Sequence, residues 1–467
     1  MKKISMILVL IVLAGCRTTT MKTDATSYRA GTAKVNITPQ KPIWLSGYGG
    51  RQGLPKGTGT ELWVRALALE DGKRHRLVVV SMEILGLPHS INESIRKKAR
   101  RQYGLRDREL MLVATHTHAG PVIPERPSVP IMYALNAENN KRVNENAIWL
   151  EKHILNVIGK ALEDMEPVQI SFGQGKGSFA MNRRVAVPGG VNFGENRNGP
   201  VDHAVPVLVA RKPDGNSKAV LFGYACHCTT LGGNYLQYHG DYAGAAMNEL
   251  ERRNAGVTAV FVTGCGGDAN PSPRDTAQMA MDHGKSLADA VIAVASGKMA
   301  AISAPIQSRY LRTELPLDKL PTREEWEQLR KERDVYVARH ARENLKLLNA
   351  RKLPTKIPYP IQTAQFGTEL TVVALGGEVV VDYVLRLKRE LGGEKLWVIA
   401  YANEVPCYIP SRRILEEGGY EAGWGAKGKR KYAGGNILYY GWPVPLAPAT
   451  EEKVISSVYK LLGGKRQ

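Results

Sequence analysis

Short apolar runs and longer amphipathic stretches alternate along this chain, and the alternation predicts its elements. Leu77–Met82, Glu109–Val113, Val205–Val209, Ala219–Tyr224, Ala259–Thr263, Thr371–Leu375 and Leu396–Ala400 have the length and β-branched content of buried strands. Between them, apolar positions recur with helical spacing at about 88–102, 146–163, 242–253, 276–296 and 379–390. This order predicts an α/β fold, a large sheet-centred domain covered by helices. The stretch 321–349 stands apart. Thr322 and Glu325 form a capping-box pair, and one long charged helix through Trp326, Leu329, Val337 and Leu345 is expected to follow. It reads either as a lid or lipid-facing arm, or as a solvated helix packed by one stripe. No internal repeat or low-complexity tract interrupts the pattern.

The first residues follow a different logic. Met1-Lys2-Lys3 is a short basic start, and Ile4 to Ala14 is apolar but too short for a comfortable membrane span. The run closes on Leu13-Ala14-Gly15-Cys16, which resembles a bacterial lipobox. The expectation is a lipoprotein signal peptide over 1–15, a flexible tether over 16–28 and a catalytic domain over 29–467. A lipid on Cys16 would hold an exported protein on a membrane of the bacterial cell envelope; a plain secretory signal is the alternative.

Composition narrows the class. With 43% hydrophobic and 23% charged residues, 467 residues can bury a large core. The net charge of +20 suits an anionic partner, a membrane surface or an acidic polysaccharide, although a solvated basic surface would look the same. Nucleic acid is disfavoured by the export signal and by the lack of a recognisable binding module. With Cys16 assigned to a lipid, Cys226, Cys228, Cys265 and Cys407 remain, either as disulfides or as buried thiols.

Candidate chemistry collects where strands end. His116 and His118 follow the run Glu109–Val113, and residues two apart on a strand face the same side, so the two imidazoles are expected to project together. Imidazole is a common ligand of catalytic metals, and a hydrogen-bonded histidine pair is the alternative. His227 follows Ala219–Tyr224, and Asp241 fits the start of a helix. The loop Gly264-Cys265-Gly266-Gly267-Asp268 could cradle an anion on its backbone N–H groups, but lacks a Walker ending. Glu378 leaves a strand and enters a helix, where a carboxylate could complete a metal shell. Together these positions suggest a site at one edge of one sheet.

The same residues carry a family resemblance. Thr115-His116-Thr117-His118-Ala119-Gly120-Pro121 resembles the Thr-His-Thr-His-Ser-Gly-Pro signature of neutral/alkaline, non-lysosomal ceramidases. Gly31 to Pro39, Gly47-Tyr48, Met181-Asn182-Arg183, His227-Cys228-Thr229, Gly267-Asp268, Gly377-Glu378, Asn403, Tyr408-Ile409 and Tyr420-Glu421-Ala422 continue it in order. The resemblance implies a zinc amidase in which His116, His227, Glu378 and Tyr408 hold Zn2+, which brings the pKa of a water toward ~7. It also implies that His118, Arg183 and Tyr420 contact substrate or oxyanion. Arg184, beside Arg183, leaves open that one of the two is a surface charge, and Tyr420 could instead be an aromatic packed under a loop.

Departures from the family pattern shape the expectation. The family's Ser-Asn-x-Gly-Asp stretch puts its serine where Gly264 stands, and Cys228 replaces a proline. The immunoglobulin-like domain that follows the catalytic domain in ceramidases has no counterpart expected before residue 467. A metal-activated water survives these changes; a serine nucleophile does not. Three functions are therefore weighed: a membrane-anchored zinc hydrolase cleaving the amide of an N-acylated lipid or other N-acyl molecule, a metal-dependent enzyme acting on an acidic glycan, and a non-catalytic binding lipoprotein. The glycan reading rests on Lys427, Lys429, Arg430 and Lys431 among nearby Tyr and Trp residues.

Overall fold

The computed structural model describes residues 28–51, 53–125, 133, 135–423 and 434–464. The signal-like start, Cys16, the tether up to residue 27 and the basic cluster 427–431 lie outside them. Within a residue or so, each expected apolar run falls in a strand. The large sheet has nine strands, ordered Thr258–Thr263, Ser217–Tyr224, Ala204–Arg211, Glu166–Lys176, Tyr28–Asn36, Trp63–Asp71, Arg76–Met82 and Leu110–Ala114, with Ala300–Ile302 added beside Glu166–Lys176. Its two halves are joined over only three residue pairs, Tyr28–Ala30 against Glu166–Val168. Across that short seam the sheet folds over, and its two edge strands meet where Thr263 Oγ1 donates to the Ala114 carbonyl at 2.9 Å.

Side-chain alternation sorts the strands into two faces. Leu67, Leu69, Leu77, Val79, Met111 and Val113 share an inner core with Leu208, Leu221, Val260 and Val262 of the other half. Their neighbours Val64, Ala66, Val78, Val80, Leu110 and Leu112 pack outward under the helices His89–Tyr103 and Ala137–Glu163. Val220, Phe222, Ala259 and Phe261 do the same under Asp241–Arg253 and Ala277–Ser296.

A second sheet, of four strands ordered Ile306–Pro316, Lys356–Phe366, Leu370–Leu375 and Leu396–Ile399, closes the inner core with Val372, Ala374, Trp397 and Ile399. Its other face, carrying Val373, Leu375, Leu396 and Val398, packs against the helices Val381–Leu391 and Thr450–Leu462. The α/β expectation therefore stands, with two sheets packed together where the apolar pattern suggested one. Among the described residues, no helix is long and apolar enough to cross a membrane.

The stretch 321–349 differs from the single long helix expected. It forms two helices, Arg323–Leu329 and Val335–Asn349. The Thr322–Glu325 capping box starts the first; Asp334 starts the second by accepting from the backbone N–H of Tyr336 and Val337. The break lets the helices fold back on each other, which buries Trp326 against Ala341 and Leu345. A straight helix would have left that indole in water, at a cost of about 1.5–3 kcal/mol in lost burial.

Candidate metal centre

Four loops deliver the candidate ligands to one point between the sheets. His116 leaves the edge strand Leu110–Ala114, and His227 leaves Ser217–Tyr224 from the other half of the same sheet. The loops run side by side, with Thr117 bridged to Cys228 and His118 N donating to the Cys228 carbonyl at 3.3 Å. Glu378 and Tyr408 come from the region of the second sheet as directly paired residues of a two-residue parallel ladder. Gly377 has φ +78°, and a Cβ there would lie 2.7 Å from the Cys407 carbonyl oxygen, so only glycine permits this turn into Glu378. The site thus lies between two sheets rather than at one edge of one.

The two histidines of the Thr-His-Thr-His run do converge, with ring centroids 4.9 Å apart, but strand alternation is not the reason. The strand ends at Ala114, and His116 sits in the left-handed region at φ +65°. This strained turn is held by Thr115 N donating to the Met82 carbonyl and His116 N to that of Ile84.

Hydrogen bonds fix the tautomers. His116 Nδ1 lies 2.6 Å from the Leu85 carbonyl oxygen, and His227 Nδ1 lies 2.7 Å from that of Gly266. A carbonyl only accepts, so each Nδ1 carries its proton and each Nε2 presents a lone pair. Both lone pairs face the same carboxylate oxygen: Glu378 Oε2 is 2.9 Å from His227 Nε2 and 3.2 Å from His116 Nε2. Tyr408 Oη stands 3.3 Å from His227 Nε2. These three groups are buried, Glu378 being 3% exposed and His116 and His227 less. Two imidazole lone pairs, a carboxylate oxygen and a phenol oxygen gathered this closely match the donor set of a transition-metal ion. His118 joins the group with Nε2 3.2 Å from His116 Nε2, so donor atoms of His116, His118 and His227 all lie within 4.8 Å of one another. Burial, followed by the charge of Arg183, lowers His227 to about 4. Burial and then the neighbouring histidines likewise push His118 well below its ordinary value.

Around this centre, Arg183 donates from Nη2 to Tyr408 Oη at 3.1 Å, from Nη1 to Asn270 Oδ1 at 3.1 Å, and from Nε to Glu421 Oε1 at 2.8 Å. Arg184 is not a surface charge. It is buried, and pairs with Glu421 at 2.7 Å and Glu417 at 2.9 Å. Tyr420 lies edge-on to Tyr408, with centroids 5.4 Å apart, and to Phe193, 6.0 Å apart. At 37% and 55% exposed, Tyr420 and Phe193 form an aromatic rim beside Arg183.

One expectation for the glycine-rich loop needs correction. Three of its five backbone N–H groups are already engaged, Gly264 with Tyr224, Gly266 with Gly264 and Gly267 with Val379. That leaves few of them to cradle an anion. Gly264, where the resemblance implies a serine in the family, is packed so that an added Cβ would sit 3.0 Å from the Cβ of Ala225. The loop serves the centre instead through the Gly266 carbonyl and through Asn270, which also accepts from Thr229 Oγ1 at 3.2 Å. Asp268 caps the helix Val381–Leu391 through Val381 N at 2.8 Å, and burial raises its carboxyl to about 7. The four cysteines among the described residues are buried free thiols.

Sequence reasoning missed Tyr440, whose hydroxyl donates to Glu378 Oε1 at 2.6 Å. It also gave no role to Asn270 or Glu421. Glu421 stood within a recognised motif, whereas Tyr440 lies beyond the last one and in no periodic element.

With this geometry in place, comparisons with known proteins become informative. The sequence model described as neutral/alkaline non-lysosomal ceramidase, N-terminal, matches residues 28–297, more than half of the chain. A neutral ceramidase of Pseudomonas aeruginosa is 24% identical over 263 residues, which cover 54% of this chain and 38% of that protein. The matched segment thus spans well under half of the curated relative. The crystal structure of neutral ceramidase from Pseudomonas aeruginosa superposes with a TM-score of 0.68 and 20% identity, over 95% of this chain and 76% of that one. A ceramidase complexed with C2 gives 0.66 and 17%, over 93% and 76%. At these identities the two superpositions establish a shared fold.

Proposed function

Because the chain belongs to the neutral/alkaline non-lysosomal ceramidase family, we propose that it is a zinc-dependent amidase that hydrolyses an N-acylated lipid. One observation carries the reading: the lone pairs of His116 Nε2 and His227 Nε2 meet at Glu378 Oε2, with their tautomers fixed from behind by carbonyls. Together with Tyr408 they make two nitrogen and two oxygen donors, a set suited to Zn2+. When bound there, the ion supplies Lewis acidity, making water nucleophilic at neutral pH and polarising a carbonyl.

The chain's own groups account for the rest of the hydrolysis. Water oxygen bonds to the amide carbon, the C–N bond breaks, and a proton must reach the leaving nitrogen to give a carboxylic acid and an amine. His118, beside His116 and with Nδ1 free of any partner, is placed to carry that proton. Arg183, held on three sides, directs fixed positive charge toward the centre, where it stabilises an oxyanion without reorganising. The hydroxyl of Tyr420 supplies a second donor at the mouth. The Phe193–Tyr420 rim gives an acyl chain an apolar surface.

For the N-terminal segment, the reading includes export and lipid attachment at Cys16, which labelling with a radioactive fatty acid and its loss in Cys16→Ala would test. For the enzyme, the test is fatty-acid release by purified, zinc-loaded protein from N-acylsphingosine in detergent and from soluble N-acyl amines. Release that disappears in His227→Ala is expected. No release from any N-acyl substrate by zinc-loaded wild type would overturn the reading.

A further inference from the structure

Glu378 meets the histidines through Oε2 alone. Its other oxygen, Oε1, accepts from Tyr440 Oη at 2.6 Å, a short bond to a buried carboxylate. Tyr440 follows the turn Gly435–Leu438, and the same turn grips a second candidate ligand. Asn436 Oδ1 accepts from Tyr408 N at 2.6 Å, and Asn436 Nδ2 donates to the Tyr408 carbonyl at 3.2 Å. Gly435 packs so closely under the Tyr408 ring that a Cβ there would come within 2.6 Å of it. Trp442 Nε1 then ties the exit of the turn to the Pro406 carbonyl at 2.7 Å. This segment therefore braces both oxygen donors of the centre without itself facing the convergence point.

We propose that Tyr440 is a positioning residue that occupies Glu378 Oε1, so that the carboxylate offers a metal ion one oxygen in one orientation, and that this contact sets the affinity of the centre. The inference rests on the metal-centre reading above. A carboxylate engaged on one oxygen by a donor cannot swing to present both. Removing the hydroxyl would leave Oε1 buried and unpaired, free to rotate toward the ion, and would forfeit the preorganisation of Oε2. Partners of this kind typically change metal affinity 10- to 100-fold. Tyr440→Phe deletes only the hydroxyl and keeps the ring against Tyr408 and Tyr439, at centroid distances of 6.3 and 5.1 Å.

The test uses the full chain, wild type and Tyr440→Phe, with Zn2+ titrated against a chromogenic chelator. Thermal unfolding of the metal-free proteins supplies a structural readout. Zinc-edge absorption spectroscopy of the loaded proteins supplies a coordination number that does not depend on yield or partial misfolding. The expected result is zinc affinity about 10- to 100-fold weaker in Tyr440→Phe, a metal-free melting temperature lowered by no more than about 3 °C, and a raised count of light-atom ligands as Oε1 joins the ion. Equal affinity and equal coordination in the two proteins would overturn the role of Tyr440 while leaving the metal centre intact. Weaker affinity accompanied by a matching fall in metal-free stability, with coordination unchanged, would also overturn it by making the residue a structural prop. A wild-type chain that binds no zinc would bring down the metal-centre reading itself.

Discussion

Replacing Glu421 with glutamine tests the scaffold behind the centre. The carboxylate is buried and accepts from two guanidinium groups, Arg183 Nε at 2.8 Å and Arg184 Nη1 at 2.7 Å. Glutamine keeps the shape but turns an NH2 toward one of the two donors and removes the charge that both share. Arg184 retains Glu417 and the Gly418 carbonyl, each at 2.9 Å. Arg183 retains only Asn270 and Tyr408, neither of them a carboxylate, and stays buried. Breaking a buried pair by removing one partner costs about 3–5 kcal/mol, and most of it should fall on Arg183. The assay must suit that size. At about 2.1 cal/mol/K per residue, a chain of this length melts with an entropy of about 1 kcal/mol/K, so the melting temperature should drop by only about 3–5 °C. Urea unfolding of the metal-free protein is the better readout, because bound metal would mask part of the loss. Glu421→Gln should lose about 3–5 kcal/mol, with kcat on an N-acyl substrate falling more than KM rises, since Arg183 would lose its aim rather than its charge. A loss under about 1 kcal/mol, the range of an exposed ion pair, would refute the reasoning.

Other outcomes follow from the same structure. Burial raises the Glu404 carboxyl, but hydrogen bonds from His89 and Arg312 outweigh this and hold it at about 2, well below the ordinary glutamate value of 4.5. Its contribution to stability, roughly 3 kcal/mol, is present above pH 4.5 and is lost as pH falls toward 2; Glu404→Gln should flatten that acid limb in unfolding measured from pH 6 to 2, and an unchanged limb would count against the network. Burial pushes the thiols of Cys226, Cys228, Cys265 and Cys407 up, so a disulfide reagent should titrate none of them until the chain is unfolded. Cys265→Ala should keep substantial activity, because its sulfur packs in the core of the second sheet; complete loss of activity with zinc retained would assign that thiol a chemical role.

The parts of this fold legible in the sequence are those written in one period at a time. Buried strands such as Ala259–Thr263 announce themselves because both faces are covered and every position is apolar or small. What the pattern could not convey is which cover each strand has. Val372 and Val373 look alike in sequence, yet one faces the inner core and the other the helices of the second sheet. The break between Leu329 and Val335 was hidden because charged residues there suit a solvated helix as well as a turn. In the site, the candidate ligands came from the family resemblance. Their environment was not, because Arg184, Asn270 and Tyr440 act through long-range hydrogen bonds that no local pattern encodes.

The most direct test of the central claim is anomalous diffraction at the zinc absorption edge from crystals of the zinc-loaded chain. The account predicts one strong peak among His116 Nε2, His227 Nε2, Glu378 Oε2 and Tyr408 Oη, within about 2.0–2.2 Å of each. A peak elsewhere with that point empty, or no peak at all, would contradict it.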